Sequence, residues 1–329
     1  MERSTHLSVI IPIFNEEENI SLLHERIKRI MREQDYSYEI IYVDDGSTDG
    51  TSALLQSLAM QDHQVKAIQL RRNFGQTAAI AAGVDHSTGK ILVFMDGDLQ
   101  NDPADIPRLV TKLNEGYDIV SGWRKERKDG KFSRKLPSWL ANQLIARVTG
   151  IPLHDSGCTL KAFRWEVFQH MKLYGEMHRF LPAYAALVGA TIAEIEVAHY
   201  PRLFGVSKYG ISRTIRVILD LMTLKILGTY KTRLLHAFGI PGLFSLFMSL
   251  ITGTAIIGQR AVKHANPPSN TSLYNRFLLF LGFGLQCIMI GILAELIVHV
   301  YYESQGKPTY VVKTIFTAPP SELKKHEAA

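Results

Sequence analysis

"KILVFMDGDLQNDP", residues 90–103, runs four apolar residues from Ile91 to Phe94 and then sets two acids, Asp96 and Asp98, two positions apart. An extended backbone turns alternate side chains to the same side, so the two carboxylates face one way and repel each other. A positive charge is expected beside them. The apolar run itself reads as a buried strand that ends at the acids.

Working outward, the chain to about residue 120 alternates such runs with helical patterns. "LSVIIPI" (7–13), "YEIIYVD" (38–44), "VKAIQLR" (65–71), "ILVFMD" (91–96) and "DIVSG" (118–122) are expected strands, with helices beginning near Glu16, Asp49, Gln76 and Pro103. This alternation predicts an α/β domain built on a doubly wound, mostly parallel sheet, with its site at the carboxyl ends of the strands. Polar clusters gather at those ends: "PIFNEEEN" after the first strand, "DDGSTDGT" after the second, "RRNFGQ" after the third and "DGDLQ" after the fourth. One acidic pair at a strand end can be a helix cap, and Ser47-Thr48-Asp49 includes one. Four clusters on one edge point to a ligand.

Neither GxGxxG nor GxxxxGK[ST] occurs, which speaks against a dinucleotide fold and a P-loop. Carboxylates cannot cradle a phosphate unaided. Asp96 and Asp98 can do so through Mg²⁺ or Mn²⁺, whose hard oxygen chemistry would bridge them to a diphosphate and stabilise it as a leaving group. Asp44 and Asp45 suit hydrogen bonds to a base or ribose.

The 329 residues carry a formal charge of +6 and a mean hydropathy of +0.01, an average over two unlike parts. Basic residues concentrate between Arg124 and Lys135 and around the apolar C-terminal third. Anionic lipid or phosphate is therefore a better partner than nucleic acid. "LSVIIPIF" is too short for a signal-peptide core and runs into Glu16, Glu17 and Glu18, so export of the N-terminal region is not expected. Cys158 and Cys287 lie far apart, with no disulfide framework or zinc spacing, which suits a reducing compartment.

From Leu234 to Gly258 the chain contains no Lys, Arg, Asp or Glu. As a helix this run reaches about 37 Å, against about 30 Å for a hydrocarbon core. A second run, Phe277 to Tyr302, holds one acid, Glu295. Together they predict a two-helix transmembrane hairpin. Arg213, Arg216, Lys225, Lys231 and Arg233 precede it, Lys307, Lys313, Lys324 and Lys325 follow it, and Arg260, Lys263 and Arg276 lie in the loop. The modest bias puts both termini in the cytoplasm, at the inner membrane. Before the hairpin, Ile211, Ile215, Ile218 and Met222 fall on one helical face, and Arg213, Arg216, Asp220 and Thr223 form a polar stripe. Such a helix can lie in the membrane interface or pack on the domain. The expected layout is a catalytic domain over 1–209, amphipathic helices over 210–232, two spans over 233–303 and a cytoplasmic tail over 304–329.

"VIIPIFNEEENI", "IIYVDDGSTDGT", "RNFGQTAAIAAG" and "FMDGDLQNDP" resemble the motifs of glycosyltransferase family two, with its GT-A fold and D-x-D metal motif. "SGWRKERKDG", "DSGCTLKAFR" and "PRLFGVSKYG" are similar to motifs of polyprenyl-phosphate glycosyltransferases, and the two-span C-terminus resembles the bactoprenol glucosyltransferase branch. The resemblance implies inverting transfer of a sugar, with UDP-glucose the first choice, to undecaprenyl phosphate. GDP-mannose, UDP-N-acetylglucosamine or a modified pentose donor would use the same machinery. It further implies that Pro12, Asn15, Glu17, Asp44, Asp45, Ser47, Asn73, Gly75, Gln76, Asp96 and Gln100 bind the nucleotide sugar. Asp96 and Asp98 would take the metal, with Asp98 the direct ligand. Relatives with this tail often associate, so a homo-oligomer, such as a tetramer, is expected.

The acceptor needs a cationic site. A lipid phosphate monoester has a second pKa of about 6 and is already mostly a dianion at neutral pH, so catalysis rests on positioning and charge stabilisation. Arg124, Arg127 and Arg134 in the loop after the fifth strand, then Arg202, Ser207, Lys208 and Tyr209, are the candidates, with Arg124 and Arg127 near the chemistry. The basic loop is expected to order when a ligand binds. Asp155 corresponds to a family aspartate near the transfer centre, able to orient the acceptor or act as base, or merely to cap a helix. His178 and Arg179 are weaker candidates. A non-catalytic lipid-phosphate-binding or flippase subunit is the competing reading; two spans are few for a pathway.

Overall fold

A computed structural model describes residues 3–125, 153–169, 171, 173, 178, 181–187, 189–203, 235–263, 271–305 and 308–319. Two compact units result, Met1–Tyr209 with Pro308–Ala329 and Gly210–Lys307.

The first unit is built on β1 (Thr5–Ile13), α1 (Glu17–Arg32), β2 (Tyr38–Asp44), α2 (Thr51–Gln61), β3 (Val65–Leu70), α3 (Gln76–Asp85), β4 (Gly89–Phe94), α4 (Asp105–Asn114) and β5 (Ile119–Trp123). Three strands complete it: β6 (Lys161–Arg164), β7 (Ile192–Glu196) and β8 (Val312–Thr317). They form one sheet in the order β7-β5-β6-β4-β1-β2-β3-β8. β1 pairs in parallel with β2 and β4, β2 with β3, and β5 with β7; β6 runs antiparallel between β4 and β5, and β8 antiparallel along β3.

The central strands read as unbroken apolar runs because both faces of the sheet are covered. Leu7, Val9, Ile11 and Ile13 of β1 join one core with Ile20, Leu23 and Ile27 of α1, Leu55 of α2 and Leu109 and Leu113 of α4. Ile10 points the other way, against Gly83 of α3. In α1 the buried Ile20, Leu23, Ile27 and Met31 recur at helical spacing, and Glu17 and Glu18 in the first turn oppose the positive end of the dipole. Each fully buried side chain of this kind contributes about 1.5–3 kcal/mol.

The second unit is an antiparallel pair of long helices, Leu235–Lys263 and Thr271–Gln305. Phe238–Gln259 and Thr271–Ile297 are long and apolar enough to cross a membrane. Small residues let the two backbones approach. A Cβ at Gly284 would stand 2.8 Å from Leu246 Cγ and 2.9 Å from the Gly242 carbonyl. Ser245 Oγ donates to the Phe280 carbonyl (2.7 Å) and Ser249 Oγ to that of Phe277 (3.3 Å). Small residues and hydroxyls are what hold helices together where no hydrophobic effect separates them from lipid. Glu295 is buried within this unit.

The residues expected to form a tail include β8, whose Phe316 lies opposite Ala67 and Ile315 opposite Ile68. Tyr310 is buried and donates to Asp85 Oδ2 (2.7 Å). The chain leaves the sheet after β7, forms the long helices and returns to the sheet's edge. The amphipathic segment 210–232 lies outside the described residues.

Candidate active site

The carboxyl ends of β1, β2, β3, β4, β5 and β7 lie along one edge, and the polar clusters follow them. After β1 the chain turns at Asn15, whose φ is 51°. Its Oδ1 accepts from Thr48 N–H (2.8 Å), while its own N–H donates to Ser47 Oγ (2.9 Å). Glu17 Oε2 accepts from Gly50 N–H (2.9 Å). The first two loops are thus laced to each other. Pro12 sits in β1 opposite Val43.

Asp44 and Asp45, adjacent in sequence, differ in their bonding. Asp44 Oδ1 accepts from Ser47 N–H (2.8 Å), but Asp44 Oδ2 is buried with no hydrogen-bond partner among the described residues. A buried carboxylate oxygen in that condition is costly unless a ligand supplies a donor. Asp45 spends both oxygens on the third loop, accepting from Phe74 N–H (2.7 Å) and Gly75 N–H (2.9 Å). Burial lifts its carboxyl to about 6 against the pull of those amides. Gly75 has φ 94°, open to glycine and strained for other residues, and it aims α3 and Gln76 at the edge. Asn73 lies in the same turn.

At the end of β4, Gln76 Nε2 donates to Asp96 Oδ1 (2.8 Å) and Thr159 Oγ1 donates to Asp96 Oδ2 (2.6 Å). Burial first, and the charge of Asp98 second, raise the Asp96 carboxyl to about 6. Asp98 is buried; its Oδ1 accepts from Gln100 N–H (3.2 Å) and its Oδ2 from Arg202 Nη2 (2.7 Å). Leu99, with φ 61°, makes the sharp turn that brings Asp98 inward, a conformation an apolar residue holds only under strain. Gln100 Nε2 reaches the Tyr200 carbonyl (3.3 Å).

Two carboxylates provide hard oxygens for Mg²⁺ or Mn²⁺, and no group of three or more His, Cys, Asp or Glu that could hold a metal occurs among the described residues. The donor set fits a cation completed by ligand phosphates rather than one caged by protein.

Beyond β5, Arg124 and Asp155 form a buried bidentate pair: Arg124 Nε donates to Asp155 Oδ2 (2.6 Å) and Nη2 to Oδ1 (2.9 Å). Burial works against the guanidinium's charge, but the Asp155 carboxylate outweighs it and holds the pKa above the ordinary arginine value. Glu194 of β7 braces the turn before Asp155, accepting from the backbone N–H of His154 (3.0 Å) and of Asp155 (3.2 Å). His154 stacks on Trp123, ring centroids 4.3 Å apart.

Lys161 is 1% exposed; its Nζ donates to the carbonyls of Ser156 (3.3 Å) and Cys158. Burial lowers its pKa, opposed by the charges of Cys158, Asp155 and Asp96. Thr159, Lys161 and Glu194 are the contributors that reading by motif missed. The one signal was a lysine inside the apolar "TLKAF". His178 Nδ1 meets Thr77 Oγ1 at 2.8 Å. Arg127, Arg134, Arg179, Ser207, Lys208 and Tyr209 lie outside the described residues.

The chain is similar to several known proteins. The profile described as "Glycosyl transferase family 2" matches residues 8–172. A dodecaprenyl-phosphate galacturonate synthase of Rhizobium johnstonii is 44% identical over 95% of this chain and 94% of its own length. An undecaprenyl-phosphate 4-deoxy-4-formamido-L-arabinose transferase of Proteus mirabilis is 37% identical over 95% of each chain. Among solved structures, glucosyl-3-phosphoglycerate synthase from Mycobacterium tuberculosis, in complex with Mn²⁺ and uridine-diphosphate-glucose, superposes with a TM-score of 0.52 at 19% identity. That match covers 67% of this chain and 79% of that one. It shows a common fold, the mostly parallel GT-A sheet.

Proposed function

The chain belongs to glycosyl transferase family 2, and from that premise we propose that it transfers a sugar from a nucleotide sugar to a polyprenyl phosphate at the cytoplasmic face of a membrane. One observation carries the reading. The Thr159 to Asp96 hydrogen bond, at 2.6 Å, joins the acidic turn suited to a diphosphate to the loop whose Asp155 fixes Arg124, suited to a phosphate monoester. The names of the two relatives support the acceptor class. The two apolar helices would anchor the enzyme where such a lipid resides. Since the chain returns to its own sheet as β8, two crossings accord with both termini on the catalytic side.

In this reading Asp44 Oδ2 accepts an N–H from the base, with Pro12, Asn15, Glu17 and Ser47 shaping the nucleotide's pocket. Asp45 acts at one remove, by holding Gly75 and so Gln76. Asp96 and Asp98 would hold Mg²⁺ or Mn²⁺, which when bound neutralises the diphosphate and eases its departure. The acceptor dianion needs no dedicated base. Arg124, whose Nε and one Nη2 hydrogen are held by Asp155, offers its remaining guanidinium hydrogens to the phosphate and presents a phosphate oxygen to the anomeric carbon. A bond forms from phosphate oxygen to C1 as the bond from C1 to the diphosphate oxygen breaks on the opposite face, which inverts the centre. Asp155, with both oxygens on Arg124, serves as its positioner. Arg127, Arg134, Ser207, Lys208 and Tyr209, which lie outside the described residues, would by their sequence motifs contribute to the acceptor site.

The donor sugar is the open variable. Galacturonate and 4-formamido-arabinose, the sugars in the relatives' names, join glucose as first choices. The full-length protein in lipid, given Mg²⁺ or Mn²⁺, undecaprenyl phosphate and radiolabelled UDP-glucose, UDP-galacturonate or the UDP-formamido-pentose, should convert one into an organic-extractable, mild-acid-labile product. Asp98→Ala should abolish that product. Absence of product from the whole panel, or full activity in the variant, would refute the proposal.

A further inference from the structure

The acids at the end of β4 are not left without a cation, for the chain supplies its own. Arg202 donates from Nη2 to Asp98 Oδ2 at 2.7 Å, and its Nη1 lies 3.6 Å from Glu16 Oε1. The guanidinium therefore bridges the turns that follow β1 and β4, which are neighbours in the sheet. This is not a solvated surface pair: both carboxylate side chains are 10% exposed and that of Arg202 is 20%. A charge-assisted hydrogen bond so sheltered from water is worth more than an exposed one.

Asp98 is also the carboxylate that the metal reading takes as the direct ligand of a divalent cation. A guanidinium at hydrogen-bond distance and a doubly charged ion on the same carboxylate would repel strongly across a few ångströms of poorly screened space. The two compete for one partner. We propose that Arg202 is exchanged for the divalent cation at Asp98, so that loading the metal releases a guanidinium at the mouth of the site, where the incoming anions are the phosphates of the substrates. The inference rests on the metal reading given above.

Two consequences follow from this exchange. Without nucleotide, the metal must evict Arg202 and receives two protein carboxylates in return, so it binds weakly. With a nucleoside diphosphate present, the displaced guanidinium gains a phosphate partner and the metal gains phosphate oxygens, so metal and nucleotide enter as a unit. The acidic turn then stays neutralised between turnovers, and Arg202 is a positioning group whose location reports whether the donor is bound.

The test measures Mn²⁺ binding by electron paramagnetic resonance to the full-length enzyme in detergent without nucleotide. Arg202→Gln should bind Mn²⁺ about tenfold more tightly than the parent, the loss of one buried charge-assisted bond expressed as an affinity, even as its transfer rate falls. Asp98→Asn should bind it far more weakly. A second measurement needs no variant: phenylglyoxal modification of Arg202 in the parent, followed by peptide mass spectrometry, should accelerate when Mn²⁺ is added. Unchanged or weaker Mn²⁺ binding by Arg202→Gln, or Arg202 labelling that fails to rise with Mn²⁺, overturns the exchange while leaving the metal site standing. Mn²⁺ binding that survives Asp98→Asn undiminished removes the metal reading itself, and the exchange with it.

Discussion

Replacing Asp155 by asparagine tests whether this residue acts through Arg124. In the structure Asp155 accepts two hydrogen bonds from the Arg124 guanidinium, 2.6 and 2.9 Å, between side chains 7% and 13% exposed. Asparagine can accept only one of them and carries no charge, so a guanidinium is left buried with half its partner. Breaking a buried pair from one side costs about 3–5 kcal/mol. At about 2–4 °C per kcal/mol for a domain of this size, the unfolding temperature should fall by about 6–20 °C. The tryptophan fluorescence of the full-length protein in detergent is a suitable probe, because Trp123 adjoins Arg124. The double variant Arg124→Met/Asp155→Leu should recover most of that stability, since an apolar pair of similar volume replaces the charges without desolvating them. It should not recover transfer, because the phosphate has lost its guanidinium. A drop below about 2 °C in the single variant, or restored transfer in the double one, would refute the idea that Asp155 acts through Arg124.

Other outcomes follow from the same structure. Gly284→Leu should lower the stability of the helical pair by about 1–3 kcal/mol, since even a Cβ meets Leu246 and the Gly242 carbonyl at under 3 Å; unfolding in detergent measures it. Removing residues 308–329 strips β8 from β3 and should yield an aggregating protein by size exclusion, whereas Tyr310→Phe should cost only about 1 kcal/mol and leave transfer intact. Asp45, whose carboxyl rises from 3.8 to about 6 on folding, holds a proton in the folded chain that the unfolded chain releases. The stability it contributes is full below about pH 4 and lost as the pH climbs through about 6, so Asp45→Asn should flatten denaturation midpoints across that window.

The first five strands were legible because each is an apolar run closed by turn chemistry. Helices α1 to α4 begin within two residues of the expected starts, since the same loops carry their first turns. The acidic turn and Arg124 were legible as motifs. Strand β6 was not: four residues long, it inserts between β4 and β5 from a point later in the chain, a pairing that no local pattern encodes. Nor could β8 be read, being short, half polar and placed after a membrane-like hairpin. Contacts such as Arg202 with Asp98, 104 residues apart, or Glu194 with the turn at His154, exist only once the sheet has brought distant segments to one edge. Lys161 shows the same limit from the other side, because a lysine in sequence normally signals solvent and here its charge is held by backbone carbonyls.

The route of the chain bears on how the sheet domain can be detached from the long helices. The long helices are an excursion from a domain that is unfinished when they begin, and the sheet receives its last strand only after both have been made. Severing the backbone on one side of the helices would leave a fragment still clasped at the sheet's far edge by the ladder between β3 and β8. A soluble catalytic piece would therefore need two cuts and would have to keep its short C-terminal peptide. Synthesis imposes the same order, since both helices are made before the strand that closes the sheet.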